Sequence, residues 1–241
     1  MTPRYSLVIP FYNEAGNVLP LLERAFAALE LLRGSLEVIL VNDGSTDGTA
    51  GELAVAGQRW PECRRLDHPR NLGQAAALLN GLRAARGGIL LTMDGDGQND
   101  PRDFPLLLAP VERGELDLAC GWRADRHDSL LRRAMSRLAN AVRRRVLRDP
   151  LHDAGCQLRV FRREIVDVLF PIELMQSFLP SIAVAAGFRV AEFRVRHHPR
   201  LRGKAHFGLR RLWWKPAVAM LRLRPRLRAL RAARRIHDKT T

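Results

Sequence analysis

The sequence predicts an α/β domain on a mostly parallel, doubly wound sheet with helices on both faces. Three observations predict it. Short continuous apolar runs recur at Tyr5–Pro10, Leu36–Val41 and Gly88–Met93. Stretches with helical periodicity separate them, and each run empties into acids, asparagines and glycines. Strands that are apolar on both sides belong to sheets covered on both faces.

Taken in order, YSLVIP (Tyr5–Pro10) is the first buried strand. Glu14–Leu32 is a helix, with Val18, Leu21, Leu22, Ala25, Phe26 and Leu29 on one face. LEVILV (Leu36–Val41) is the second strand, closed by Asn42-Asp43-Gly44-Ser45. A helix from Thr46, a weak strand at Arg64–Leu66, a helix over Gly73–Ala85 and the strand GILLTM (Gly88–Met93) follow. After Pro101 the pattern mixes. It predicts a helix at Phe104–Arg113, a strand at Leu116–Trp122 and a basic amphipathic helix at Leu130–Leu147. A strand at Gln157–Phe161, helices at Arg163–Phe170 and Phe178–Ala186, and an alternating, half-exposed strand at Arg189–His197 come next. Leu209–Leu223 is a helix in which Trp213, Trp214, Val218, Met220 and Leu221 are set among arginines. The expected division is a body over 1–208 and a basic amphipathic helix and tail over 209–241.

With 241 residues, 46% hydrophobic and 27% charged, the chain is globular and neither disordered nor collagenous. Cys63, Cys120 and Cys156 form no Cys-x-x-Cys pair, so neither a disulfide scaffold nor a cysteine zinc site is indicated. The opening residues lead straight into a strand and carry no secretory pattern. The longest uncharged run, Leu174–Phe188, has 15 residues; a membrane span needs about 20. Charge is unevenly placed. Residues up to Val195 hold 25 basic against 24 acidic side chains, whereas Arg196–Thr241 holds 15 against one, Asp238. Such a basic segment suits nucleic acid or an anionic membrane. Interleaving of arginine with Leu209, Leu212, Trp213, Trp214 and Leu223 favours a helix lying in a bilayer interface, and no nucleic-acid module is present. Attachment there is expected to be electrostatic, assisted by a separate integral membrane partner.

Ligands of open parallel sheets bind beyond the carboxyl ends of the strands. Three such ends stand out: Pro10–Glu14, Asn42–Asp47, and Asp94–Pro101. A single one is explained by turns and helix caps, the reading favoured for Ser45 and Asp47. Asp94-Gly95-Asp96 has sharper chemistry, because two carboxylates around a small residue can reach one hard cation. Such a cation completes its shell with substrate phosphates, and Gln98 adds a neutral oxygen. No Gly-x-x-x-x-Gly-Lys loop is present, and the lysines are only Lys204, Lys215 and Lys239. His197 and His198 read as structural or rim residues, and Cys156 as a small buried residue. Arg132, Arg133, Arg143, Arg144 and Arg145 read as a solvated helix face, with anionic lipid contact as the alternative.

VIPFYNE (Val8–Glu14), VNDGSTDGT (Val41–Thr49), NLGQAAALLNG (Asn71–Gly81) and MDGDGQNDP (Met93–Pro101) together resemble the successive motifs of inverting family 2 glycosyltransferases of the GT-A fold. GWRADRHDSLLRRAMSRLAN (Gly121–Asn140), HDAGCQLRVFRRE (His152–Glu164) and HHPRLRGKAHFG (His197–Gly208) resemble the branch that transfers sugars to polyprenyl phosphates. The resemblance implies that Pro10, Tyr12, Asn13 and Glu14 line a nucleotide pocket and that Asp43 meets the base or ribose. Strand-end capping is the alternative for Asp43. It further implies that Asp94, Asp96 and Gln98 hold Mg²⁺ or Mn²⁺ against the diphosphate, with Asp96 and Asp153 as catalytic residues. Asp153 would lie near sugar and acceptor, although an acid before Gly155 also shapes a turn. Arg123 and Arg200 match arginines near the donor or acceptor phosphate. Where the family has Gly-x-Ser-Lys, this chain has Gly203-Lys204-Ala205-His206, so Lys204 or His206 would supply that cation. Where it often has His-Arg, this chain has Gln176-Ser177. The implied activity is inverting transfer from a nucleoside diphosphate sugar to undecaprenyl or a similar polyprenyl phosphate on the cytoplasmic face of the inner membrane. The alternatives are transfer to a glycan or glycolipid hydroxyl, a membrane-docked binding subunit of weak activity, and a nucleic-acid-binding protein.

Overall fold

A computed structural model describes residues 2–124, 140–199 and 211–240. Seven strands form one sheet in the order β3-β2-β1-β4-β6-β5-β7. They are β1 (Tyr5–Phe11), β2 (Leu36–Asn42), β3 (Cys63–Asp67), β4 (Ile89–Thr92), β5 (Leu118–Trp122), β6 (Arg159–Arg162) and β7 (Val190–Arg194). The helices are α1 (Val18–Ala28), α2 (Thr49–Arg59), α3 (Gln74–Ala84), α4 (Phe104–Glu112), α5 (described over 140–147), α6 (Glu164–Asp167), α7 (Met175–Ala186) and α8 (Arg211–Thr240).

The central strands β1 and β2 are buried along almost their whole length because alternate residues enter two different cores. Tyr5, Leu7, Ile9 and Phe11 of β1, with Val38 and Leu40 of β2, pack on α1, α2 and α4. Val8, Ile39 and Val41 point the other way, onto α3, α7 and α8. This is the doubly wound arrangement expected.

Strand direction places the site. β1 pairs parallel with β2 and β4, and β2 with β3. β6 runs antiparallel to both β4 and β5, while β7 is parallel to β5. Six strands therefore end on one edge of the sheet, where β6 begins. From β1 the chain moves outward through β2 and β3, then returns to the other side of β1 as β4. The strand order reverses between β1 and β4, the place where such sheets bind ligands.

Several elements differ from expectation for local reasons. The first helix stops at Ala28 and gives way to a 3₁₀ turn over Glu30–Ser35. α2 starts at Thr49, not Thr46, because Asp47 Oδ1 accepts the Thr49 N–H at 3.0 Å. α7 begins three residues early and runs through Pro180. Arg143 is not on a solvated face: it is buried and paired with Asp149 at 2.7 Å. Arg132 and Arg133 lie outside the described residues.

The largest difference is α8, which extends to Thr240 and passes Pro216 and Pro225. Its spacing of Ala219, Leu223 and Leu227 forms a stripe that is buried in the core shared with α7. That burial offsets the break a proline imposes on a helix interior. Within 218–234 the apolar stripe is thus consumed by the domain, while Leu221, Arg222, Arg224 and Arg228 stay exposed. Among the described residues no helix is long and apolar enough to cross a membrane.

Candidate active site

The carboxyl edge brings together residues far apart in sequence. β1 delivers Phe11 to Glu14, β2 delivers Asp43, β4 delivers Asp94 to Gln98, and β5 delivers Arg123. The loop entering β6 adds Asp153, and the segment after β7 adds Arg196 to His198.

Asp94-Gly95-Asp96 lies at the switch point, pressed against the end of β1. A Cβ on Gly95 would sit 2.5 Å from Phe11 Cδ1 and 2.8 Å from the Pro10 carbonyl oxygen. Only glycine permits this approach, which brings the acids to the mouth of the β1–β4 crevice. Asp96 is buried, and its Oδ1 accepts the Gln98 N–H at 3.1 Å. Asp94 Oδ1 accepts from Gln74 Nε2 at 2.6 Å, and its N–H donates to Asn99 Oδ1. Burial, and then the charge of Asp96, push the Asp94 carboxyl up to about 7 against the opposing pull of Arg123 and Arg159. Two crowded carboxylates, one so strained as an anion, suit a hard divalent cation. Gln98 sits beside them, with Nε2 3.4 Å from the His198 carbonyl. No group of three His, Cys, Asp or Glu side chains able to hold a metal occurs among the described residues. A cation here would thus complete its shell from Gln98, water or substrate oxygens.

Asp43 is anchored to the loop that follows β3. Its Oδ1 accepts from Leu72 N–H and His68 Nδ1, both at 2.8 Å, and its Oδ2 from Gly73 N–H at 2.9 Å. The Asn80 amide nitrogen lies 3.0 Å from His68 Nε2, which makes Nε2 an acceptor and Nδ1 the donor to Asp43. Asp43 therefore moulds the 68–73 loop beside the β2 end. Asn13 has a left-handed backbone (φ 54) and its Oδ1 accepts the Thr46 N–H. Ser45 Oγ accepts the Asn13 N–H, and Glu14 accepts from Asn17 Nδ2 at 2.6 Å. Ser45 and Asp47 thus act as loop and cap residues. Tyr12 and Pro10 are half-buried beside them.

Asp153 and Arg123 form a bidentate pair, Nε–Oδ2 at 2.8 Å and Nη2–Oδ1 at 3.0 Å. Burial alone would weaken the Arg123 cation, but the bond and charge of Asp153 more than offset it. Next to them Trp122 stacks on His152 at 5.0 Å, and the Arg194 guanidinium lies 5.3 Å from the Trp122 ring. His198 contacts Asp100 at 2.9 Å and is a rim residue, while Asn99 and His197 form an isolated bridge. Cys156 is a small buried residue whose thiol is pushed up to about 11 by burial. Arg200, Lys204 and His206 lie outside the described residues.

The pattern of glycosyl transferase family 2 matches residues 6–170. The chain belongs to that family. Over 210 residues the chain is 40% identical to dodecaprenyl-phosphate galacturonate synthase of Rhizobium johnstonii, covering 86% of this chain and 62% of that protein. It is 36% identical over 211 residues to undecaprenyl-phosphate 4-deoxy-4-formamido-L-arabinose transferase of Yersinia enterocolitica, covering 87% and 64%. The chain thus spans less than two thirds of both relatives. A crystal structure of glucosyl-3-phosphoglycerate synthase from Mycobacterium tuberculosis, in complex with Mn²⁺, UDP and phosphoglyceric acid, superposes with a TM-score of 0.70 at 20% identity, covering 92% of this chain and 78% of that one. The fold is the GT-A fold of glycosyltransferases.

Gln74, Arg159 and His68 were not singled out in the sequence, and Gln176 stood out only as a departure from the family's His-Arg pair. Arg159 had a signal: a charged residue inside the apolar run Leu158–Phe161, where it is fully buried. Gln74 carries none of its own, since polar residues at helix starts have local explanations.

Proposed function

We propose that this glycosyltransferase moves a sugar from a nucleoside diphosphate sugar to a polyprenyl phosphate, inverting the anomeric carbon. One observation carries the donor half: Asp94 and Asp96 stand crowded at the switch point, beside the loop that Asp43 holds. Pro10, Tyr12, Asn13 and Glu14 would wall the nucleotide, with Asp43 shaping its floor. The acceptor half is supported by the two curated relatives, a dodecaprenyl-phosphate galacturonate synthase and an undecaprenyl-phosphate 4-deoxy-4-formamido-L-arabinose transferase.

Asp94, Asp96 and Gln98 would hold Mg²⁺ or Mn²⁺, which supplies Lewis-acid stabilisation of a departing diphosphate. In the transfer, an acceptor phosphate oxygen attacks the anomeric carbon while that carbon's bond to the diphosphate oxygen breaks. The nucleoside diphosphate leaves with the electron pair. A phosphate monoester is already ionised near neutrality, so no strong base is needed. Asp153, tied at both oxygens to Arg123, orients the reactants and is not the obligatory base. Arg123 places positive charge beside the acids, and Arg200, Lys204 and His206 would meet the acceptor phosphate. The basic C-terminal segment would hold the chain, with an integral membrane partner, on the cytoplasmic face of the inner membrane.

The test is a panel of UDP- and GDP-sugars with undecaprenyl phosphate and Mn²⁺, scored for lipid-linked product. Asp96→Ala should abolish turnover, and full activity in that variant would sink the cation assignment. Product formed only on a glycan hydroxyl would overturn the acceptor.

A further inference from the structure

Asp94 is reached by a line of side chains from three separate elements. Gln74, the first residue of α3, donates Nε2–H to Asp94 Oδ1 at 2.6 Å. Gln176, in the first turn of α7, donates Nε2–H to Gln74 Oε1 at 3.2 Å. Arg159, the first residue of β6, donates from Nη1 to the Gln176 carbonyl and from Nη2 to the Ala154 carbonyl, the latter at 3.0 Å. Gln176 is 6% exposed and Arg159 fully buried.

Each link fixes the next. The Gln74 amide is a two-ended group: with Oε1 accepting from Gln176, its nitrogen is the end that faces Asp94. Gln74 is also held through its backbone, because the preceding Gly73 (φ 91) donates its N–H to Asp43. Gly73 and Gln74 thereby bridge the acid at the β2 end to the acid at the β4 end. At the far end Arg159 grips Ala154, the neighbour of Asp153. One connected network orders Asp43, Asp94 and the Asp153 loop.

We infer that Gln74 is a positioning residue for the cation site, with Gln176 and Arg159 as its support. Its amide takes up Oδ1 of Asp94 and fixes the plane of the carboxylate, and Oδ2 is the oxygen outside the network. The inference rests on the reading of Asp94 and Asp96 as cation ligands. A neutral amide suits the role better than a guanidinium, because it orients an anion without neutralising the charge the cation needs. Groups that orient ligands in this way contribute about 10–100-fold to metal affinity.

The experiment measures Mn²⁺ binding to the full chain in the presence of UDP, by the loss of free-Mn²⁺ electron paramagnetic resonance signal. Wild type is compared with Gln74→Met, which keeps the length and removes the donor. Gln176→Met, which breaks the line one step away, is compared as well. Thermal melting and UDP binding in EDTA are recorded for each. The expected result is a Kd for Mn²⁺ raised roughly 10-fold or more in Gln74→Met, and by about 3-fold in Gln176→Met. Metal-free UDP binding and melting should stay near wild type. Gln74→Glu, of the same length but without the donor, should not rescue, whereas Gln74→His, which keeps an N–H, should recover part of the affinity. Mn²⁺ affinity within 2-fold of wild type in both methionine variants would overturn the inference and leave the cation reading standing. A wild type that takes up no Mn²⁺ would overturn both. If Gln74→Met fails to fold, Gln176→Met decides by the same criterion.

Discussion

Gly95→Ala tests whether the position of the acids depends on their close contact with β1. The added Cβ would lie 2.5 Å from Phe11 Cδ1, 2.8 Å from Phe11 Cε1 and 2.8 Å from the Pro10 carbonyl oxygen. Carbon atoms pack best at about 3.5–4.0 Å, so the contact must open by roughly 1 Å. Phe11 is 1% exposed and locked among α1, β2 and α4, and the Pro10 carbonyl is backbone. Neither yields cheaply, so the Asp94–Asp96 turn itself moves. Overpacking of this kind costs about 2 kcal/mol, or roughly 4–8 °C in Tm for a chain of this size. A 1 Å displacement of a reacting constellation costs about 100-fold in rate. Calorimetry and kcat/KM for sugar transfer should therefore fall together. Gly88→Ala is the control, since nothing lies within 4 Å of its Cβ; its Tm should change by no more than a degree or two. A Gly95→Ala protein that melts and turns over like wild type would refute the reasoning, because the crevice would then not depend on the contact.

Three further outcomes follow from the geometry. Glu37 is desolvated, yet bonds from Ser6 and Arg86 and the charge of Arg64 hold its carboxyl below the usual range. Its stabilising effect is therefore complete above pH ~4.3 and lost as pH falls through the depressed folded value; Glu37→Gln should flatten the acid limb of Tm against pH, and an unchanged limb refutes this. Asp149→Ala strands the buried Arg143 cation and removes the acceptor of Ser181, so urea unfolding should show a loss of about 3–5 kcal/mol, a loss under 1 kcal/mol counting against the pair. Arg222, Arg224 and Arg228 on the outward side of α8 are exposed; changing all three to alanine should weaken flotation with anionic vesicles, and salt should do the same to wild type. Flotation indifferent to both would point to another anchor.

Much of the fold was legible because its signals are local. β1, β2 and β4 are read from short apolar runs, since a strand buried on both faces needs no partner to declare itself. The acids after them were legible for the same reason. α8 was not. A stripe such as Ala219, Leu223 and Leu227 has the same period whether it faces lipid or protein, and both surroundings are apolar. Only the packing against α7 distinguishes them. Arg143 misled in the converse way: arginine in a basic run reads as solvated, and its buried partner Asp149 lies beyond the helix end.

The site shows the same division, and it bears on which acid is the reactive one. Asp43 is satisfied by His68 and two backbone N–H groups, Asp103 by Arg196, and Asp153 by Arg123. Asp100 is matched by Arg102 and His198. In sequence only the Asp94-Gly95-Asp96 spacing sets Asp94 apart from these acids, each an aspartate near a strand end or turn. Their partners, brought up by topology, tell them apart. Asp94 receives an amide where most of the others receive a cation or imidazole, and it stands next to Asp96 with its carboxyl pushed up. Pairing of these four acids leaves the unfavourable charge at the β1–β4 switch point. Were Asp94 and Asp96 to hold a cation as proposed, one carried in with a diphosphate would relieve it there, and donor binding and ordering of the site would be one event.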